Sequence, residues 1–189
     1  MLEVEQKYAR ADFVALEASL TRLGATTGVS REDTDHYFNA PDRDFVQTRE
    51  AFRLRRIGHA NYLTYKGPRR DPTVKIRPEL EIALRDGDDA AREMLEMLGL
   101  LGFRAVAVVH KRRRTFHLPR QGYAVEVCLD ELTGVGRFAE LEILAPEAEM
   151  EKARTALIDT AAQLGLTEVE PRSYLALYLA SRSSGESLP

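Results

Sequence analysis

The feature that most constrains this chain is a two-residue alternation of apolar and charged side chains that recurs from one end to the other. Residues 2–8, 51–57, 61–66, 74–84, 103–117, 123–130 and 138–144 all carry it, and a weaker strand is predicted from Val29 to Phe38. Successive side chains of a strand point to opposite faces, so each segment has one apolar and one charged face. Short turn signals separate several of them: Gly58-His59, Gly67-Pro68, Pro119-Arg120-Gln121-Gly122 and Gly134-Val135-Gly136. Strands joined by turns this short predict an antiparallel meander or barrel rather than a parallel sheet.

Helical periods interrupt the strands. Asp12 is placed to cap a helix carrying Phe13, Leu16, Leu20 and Leu23, ended by Gly24. Asp88 or Asp89 opens a second, closed by Gly99, and Pro146 sits at the first position of a third that stops at Gly165. A short fourth is predicted from Tyr174 to Ala180. These amphipathic helices supply cover for the apolar faces of the strands. The fold class is therefore α+β, an eight-stranded antiparallel β-barrel with flanking helices. With 189 residues the chain suits one domain, over residues 1–180, followed by a small polar tail at 181–189.

If the apolar faces meet helices, the charged faces line the barrel interior. That interior would hold Glu3, Glu5 and Lys7; Arg53 and Arg55; Thr64 and Lys66; Glu79 and Glu81; Lys111 and Arg113; Glu126, Cys128 and Asp130; Glu140 and Glu142. A single pair of this kind is ordinary on the wet face of a sheet. Seven strands repeating it are not, because buried charge without a partner is costly. The lysines and arginines suit phosphate oxygens. The carboxylates come without histidine or paired thiols, and oxygen-only ligands select hard cations such as Mg²⁺ or Mn²⁺ over zinc. Together they describe a cavity for a metal–polyphosphate complex.

Other chemistries are narrowed. The single cysteine, Cys128, leaves no internal disulfide framework, and a net charge of −3 argues against a general nucleic-acid binder. No apolar run reaches the roughly 18–20 residues that span a bilayer, and no signal peptide is read at Met1-Leu2-Glu3-Val4-Glu5, so a cytoplasmic protein is expected. Gly134-Val135-Gly136-Arg137-Phe138-Ala139 fits G-x-G-x-x-G/A but opens no helix, so it reads as a turn. The histidines are scattered; only His117 shares the Lys111 and Arg113 face. Arg112 and Arg114 point away from it, toward solvent or helix acids.

Glu3-Val4-Glu5-Gln6-Lys7 matches the E-x-E-x-K signature of the CYTH, or triphosphate tunnel metalloenzyme, superfamily. The resemblance continues in order through Arg53-Leu54-Arg55, Lys66, Glu79-Leu80-Glu81, Lys111-Arg112-Arg113, Asp130 and Glu140-Leu141-Glu142. It implies an eight-stranded tunnel. It also implies Glu3, Glu5, Asp130, Glu140 and Glu142 at or beside a metal, and Lys7, Arg53, Arg55, Lys66, Lys111 and Arg113 on the triphosphate. Lys111 and Arg113 would be catalytic, and Glu79 and Glu81 would line the tunnel. The segments Asp35-His36-Tyr37-Phe38-Asn39, Leu63-Thr64-Tyr65-Lys66-Gly67-Pro68 and Arg172-Ser173-Tyr174-Leu175 resemble the class IV adenylate cyclase branch, which implies ATP as substrate and cyclic AMP and pyrophosphate as products. The alternatives are hydrolysis of thiamine triphosphate, inorganic triphosphate or an RNA 5′-triphosphate end on the same scaffold, and a non-catalytic binding module. Retention of both acid groups speaks against the last. A homodimer is left open.

Overall fold

The computed structural model describes residues 2–68 and 75–183. In chain order these form β1 (Leu2–Ala9), α1 (Phe13–Arg22), β2 (Thr26–Asn39), α2 (Phe45–Thr48), β3 (Ala51–Ile57), β4 (Ala60–Lys66), β5 (Lys75–Arg77), β6 (Glu79–Ala83), α3 (Asp88–Leu100), β7 (Arg104–Arg120), β8 (Tyr123–Leu132), β9 (Gly136–Ala145), α4 (Met150–Gln163) and α5 (Tyr174–Ser183). The strands make one antiparallel sheet in the order β5-β1-β9-β8-β7-β2-β3-β4-β6.

The nine strands and the expected eight are reconciled by Pro78. It lacks an N–H for the ladder and splits one segment in two. The first half pairs with β1, Glu3 opposite Arg77, and the second pairs with β4, Lys66 opposite Glu79. The two edges of the sheet thus belong to one stretch of chain, 75–83, and the sheet curls back on itself. Gly67 allows this corner: its N–H donates to the Pro78 carbonyl at 2.9 Å, and a Cβ there would stand 2.8 Å from Pro78 Cγ. Val74, expected to start this strand, lies outside the described residues, as do residues 184–189 of the expected tail. Within that tail the structure differs from expectation, since α5 continues through Ser183.

The apolar faces are covered as the alternation requires. Helices α1 and α4 close over Val4, Val127, Leu129, Leu141 and Ile143, all at most 1% exposed. Helix α3 covers Phe38 and Leu54. Asp12 caps α1 by accepting from the Val14 and Ala15 N–H groups, while α3 begins after Gly87, with Asp88 and Asp89 in its first turn. After Pro146 a 3₁₀ turn, Glu147–Glu149, precedes α4. Cover fails on β6, where Leu80 and Ile82 stay 59% and 50% exposed.

Helix α5 does something else. Its Tyr174 and Leu177 pack against Tyr37, Val109, Leu132 and Phe138. By register these residues share the face of Asp35, Lys111 and Asp130. The inner face is therefore charged along most of its length and apolar at one end, where α5 seats against it.

Unequal cover sets unequal stability. Leu141→Ala, under α1 and α4, is expected to cost about 2–5 kcal/mol in denaturant unfolding, and Leu80→Ala no more than about 0.5 kcal/mol. Equal losses would mean that β6 is covered as well.

Candidate active site

The inner faces surround a cavity of about 890 Å³ lined by, among others, Glu5, Lys7, Arg53, Arg55, Lys66, Arg77, Lys111, Arg113, Glu140 and Glu142. Glu3, Glu5, Lys7, Arg55, Lys111, Arg113, Asp130 and Glu140 are all buried although every one is ionisable. Such groups persist only when partnered, and the partners are specific.

Two arginines are held by bidentate carboxylates. Arg113 donates from Nε and Nη2 to Asp130 at 2.8 and 2.6 Å, and from Nη2 to Glu140 at 2.6 Å. Arg55 donates to Asp35 at 2.7 and 2.8 Å, and Arg53 Nη1 reaches the same carboxylate at 3.3 Å. Burial pushes the Asp35 and Asp130 carboxyls up, but the adjacent cations outweigh it and hold both well below the usual carboxylate range. Lys111 Nζ lies 3.6 Å from Asp33 and 3.7 Å from Asp130. Burial, and then the charge of Arg113, lower its pKa below that of an ordinary lysine.

Of the five expected metal ligands, the structure gathers three. Carboxylate oxygens of Glu3, Glu5 and Glu142 lie within 4.8 Å of one another, whereas Asp130 and Glu140 are tied up by Arg113. Burial raises the pKa of Glu3 and of Glu142; a side-chain hydrogen bond with Glu79 and the neighbouring Glu5 add to the rise at Glu3, and Glu140 and Glu5 at Glu142. Three carboxylates crowded in this way with only oxygen donors fit a hard divalent cation, which would relieve both the repulsion and the desolvation. Lys66 bridges the barrel seam, 3.0 Å from Glu3 and 2.6 Å from Glu79. Burial opposes ionisation of Glu79, yet the hydrogen bond with Glu3 and the charge of Lys66 hold it at about 2. Lys7 Nζ is 3.6 Å from Glu140 and 4.0 Å from the centroid of the Tyr174 ring. Glu81 stands at the exposed rim and accepts from Thr64 Oγ1 at 2.8 Å.

Several site residues were not singled out by the sequence reading. Asp33 and Asp35 lie on the weak strand, one on each side of Thr34, so strand parity with Tyr37 was the available signal. Arg77 shares parity with Glu79 and Glu81, but Pro78 broke the pattern. Among the described residues the buried Nε atoms of Arg53 and Arg77 have no hydrogen-bond partner, an arrangement suited to an incoming anion, while Arg77 Nη2 stands 3.7 Å from Glu5. Tyr174 reaches in from α5 and donates to Asp130 at 2.7 Å. His117 sits outside the buried set, its ring 3.8 Å from Glu126. Arg114 pairs with Glu17 of α1 at 2.5 Å, and Arg112 with Glu32.

The CYTH domain profile matches residues 1–174. The adenylate cyclase CyaB of Aeromonas hydrophila is 30% identical over 181 residues, which cover 93% of this chain and 87% of that protein. The Methanocaldococcus jannaschii protein MJ0240 is 34% identical over 142 residues, 75% of this chain and 77% of its own length. Among solved structures, PH1819 of Pyrococcus horikoshii superposes with a TM-score of 0.83 at 34% identity, covering 95% of this chain and 99% of that one.

The raised carboxyls set a pH dependence. A cation binds the ionised form, and Glu3 and Glu142 hold their protons to higher pH than free glutamate, so acid favours the proton and base favours the metal. Mn²⁺ titrated calorimetrically from about pH 5.5 to 7.5 is expected to bind more tightly at each step, with the slope reduced in Glu142→Gln. An affinity that does not move with pH would exclude the cluster as the cation site.

Proposed function

Because the chain belongs to the CYTH family, we propose that it is a metal-dependent enzyme acting on a triphosphate, and that it converts ATP to cyclic AMP and pyrophosphate. One observation carries the reading: a carboxylate cluster suited to a divalent cation and unpartnered guanidinium N–H groups suited to phosphate line the same cavity. A metal–triphosphate complex satisfies both at once. The likeness to CyaB of Aeromonas hydrophila supports ATP as the triphosphate and the cyclase reaction as its fate.

In that reaction the ribose 3′-oxygen forms a bond to the α-phosphorus, the bond from that phosphorus to pyrophosphate breaks, and the 3′-hydroxyl proton leaves. Mg²⁺ or Mn²⁺ held by Glu3, Glu5 and Glu142 would acidify the hydroxyl and neutralise phosphate charge. The protein supplies position and counter-charge. Arg53 and Arg77 offer their free Nε–H groups to phosphate oxygens, with Lys7 and Lys66 beside them. Asp35 fixes the plane of Arg55, and Asp130 with Glu140 fixes that of Arg113, so these forks need no reorganisation when charge builds on the phosphates. Lys111 and Arg113 are assigned to the charge that develops around the reacting phosphate. Lys111 suits that place because its lowered pKa lets it share a proton more readily than a free lysine.

Incubating the protein with ATP and Mg²⁺ or Mn²⁺, with inorganic and thiamine triphosphate in parallel, tests the reading. Cyclic AMP with one equivalent of pyrophosphate is the expected result. Orthophosphate without cyclic AMP would move attack to the γ-phosphate and make the protein a triphosphatase. Glu5→Gln is expected to lower turnover about 10²–10³-fold with an unchanged melting temperature. Arg55→Ala is expected to raise KM more than it lowers kcat; unaltered kinetics would remove Arg55 from the phosphate site.

A further inference from the structure

At the end of the barrel away from α5, the inner faces no longer carry oxygen donors alone. There β7 brings Thr115 and His117, β8 brings Glu126 and Cys128, and β9 brings Glu142. The ladders set them in rows. His117 stands opposite Glu126 and Glu126 opposite Glu142, with Thr115 opposite Cys128 one repeat closer to Arg113. A bulge in β2 spends the Thr115 hydroxyl, which accepts from the Val29 N–H at 3.0 Å and donates to the Val29 carbonyl at 3.3 Å. The thiol, the imidazole and the two carboxylates are left.

These four converge. Carboxylate oxygens of Glu126 and Glu142 and the Cys128 Sγ lie within 4.8 Å of one another. Sγ is 3.4 Å from one Glu126 oxygen, and His117 Nδ1 is 3.8 Å from the other. With Zn–S at about 2.3 Å and Zn–N or Zn–O at about 2.0 Å, neighbouring donors on a tetrahedral ion stand about 3.3–3.5 Å apart. Small side-chain rotations therefore bring this set onto one ion. Exposure is graded along it, from Cys128 at 0% through Glu142 at 25% and Glu126 at 36% to His117 at 51%, so an ion has a way in from solvent past the imidazole.

We propose that Glu126, Cys128 and Glu142, with His117 closing the solvent side, form a second cation site selective for zinc or a similarly thiophilic divalent ion, linked through the shared Glu142 to the Glu3–Glu5–Glu142 cluster. Thiolate and imidazole favour a softer ion than the oxygen donors of that cluster do. The ion displaces the thiol proton, and the Arg113 guanidinium, 3.7 Å from Glu142, offsets the negative charge that remains. The thiol site stands independently of the triphosphate reading; the link rests on the carboxylate cluster being a cation site. Glutamate drawn toward zinc leaves Glu3 and Glu5 with one ligand fewer, and a second dication nearby adds repulsion, so each ion weakens the other.

Cys128 is the single cysteine of the chain, so the sulfur-to-metal charge-transfer band of bound Cd²⁺ reports this site alone. Titrating the full chain with Cd²⁺ in excess Mg²⁺ is expected to raise the band to an end point at one equivalent, and Zn²⁺ to bleach it. Cys128→Ser removes the band. Glu126→Gln and His117→Ala keep the thiol and are expected to weaken Cd²⁺ by about tenfold or more. No band in the wild type, or a band whose affinity neither variant moves, would overturn the site. Calorimetry with Mn²⁺ tests the link. Zinc is expected to weaken Mn²⁺ by about fivefold or more in the wild type and to have no effect in Cys128→Ser. Mn²⁺ affinity indifferent to zinc in the wild type, or weakened equally in both proteins, would overturn the link. Mn²⁺ that binds neither protein would overturn the carboxylate cluster and the link with it, while the Cd²⁺ band would still uphold the thiol site.

Discussion

Everything in this molecule depends on ion pairing inside a closed sheet. Moving one carboxylate or ammonium group from water into a protein interior carries a penalty of several kcal/mol even after relaxation. The barrel buries many such groups and tolerates them because each strand brings its charges opposite those of a neighbour. Arg113 of β7 meets Asp130 of β8 and Glu140 of β9; Arg55 of β3 meets Asp35 of β2; Lys66 of β4 meets Glu3 of β1 across the seam. The last pair also joins the two flanks of the 75–83 segment, so the contact that balances Glu3 of the carboxylate cluster helps to close the ring.

The balance is local rather than complete. On one side Glu3, Glu5 and Glu142 crowd together, and burial shifts the first and last of these toward the neutral form. On the other, Arg53 and Arg77 keep Nε–H groups without acceptors among the described residues. Intramolecular pairing offsets these imbalances only in part: Arg77 Nη2 stands 3.7 Å from Glu5 and Arg113 Nη1 3.7 Å from Glu142. The arginine planes of Arg55 and Arg113 are fixed at hydrogen-bond distance by Asp35, Asp130 and Glu140, acids outside the cluster. The interior therefore keeps crowded acids and incompletely satisfied guanidinium groups side by side, which a bound cation and a bound polyanion would relieve together.

How much of this could be read in the sequence depends on which interaction sets each element. Where burial of one face decides the structure, alternation was enough. It located β1, β3, β8 and β9 to within a few residues, and with them Glu3, Glu5, Lys7, Arg53, Arg55, Asp130, Glu140 and Glu142. Where backbone chemistry decides, it was not. Pro78 divides a strand and hides the parity of Arg77, and the bulge at Val106 in the β2–β7 ladder leaves no composition signal. Helix α2 has only four residues and depends on the Asp44 and Asn39 side-chain contacts. Asp33 was overlooked, and Asp35 quoted only within the Asp35–Asn39 segment and not as a site residue, for another reason. Their strand carries polar residues on both faces toward its start, so alternation there is weak and only pairing with Arg55 and Lys111 identifies the inner side. Exposed Leu80 and Ile82 show the reverse limit, since alternation marks an apolar face without saying that a helix will cover it.

The apolar end of the barrel explains why the site is a cavity rather than a pore. Tyr37, Val109, Leu132 and Phe138 continue the inner face of the charged strands, but as a hydrophobic layer that needs cover. Helix α5 provides it through Tyr174 and Leu177, and Tyr174 serves both regimes at once. Its ring packs edge-on to Phe138 at 5.5 Å between centroids, while its hydroxyl bonds the carboxylate that holds Arg113. One side chain thus couples the seating of α5 to the orientation of the buried Arg113 guanidinium. Displacing the helix would expose the apolar layer and take from Asp130 the hydroxyl donor of Tyr174 in the same motion. A docked α5 and an aligned Arg113 are in this sense a single state of the structure.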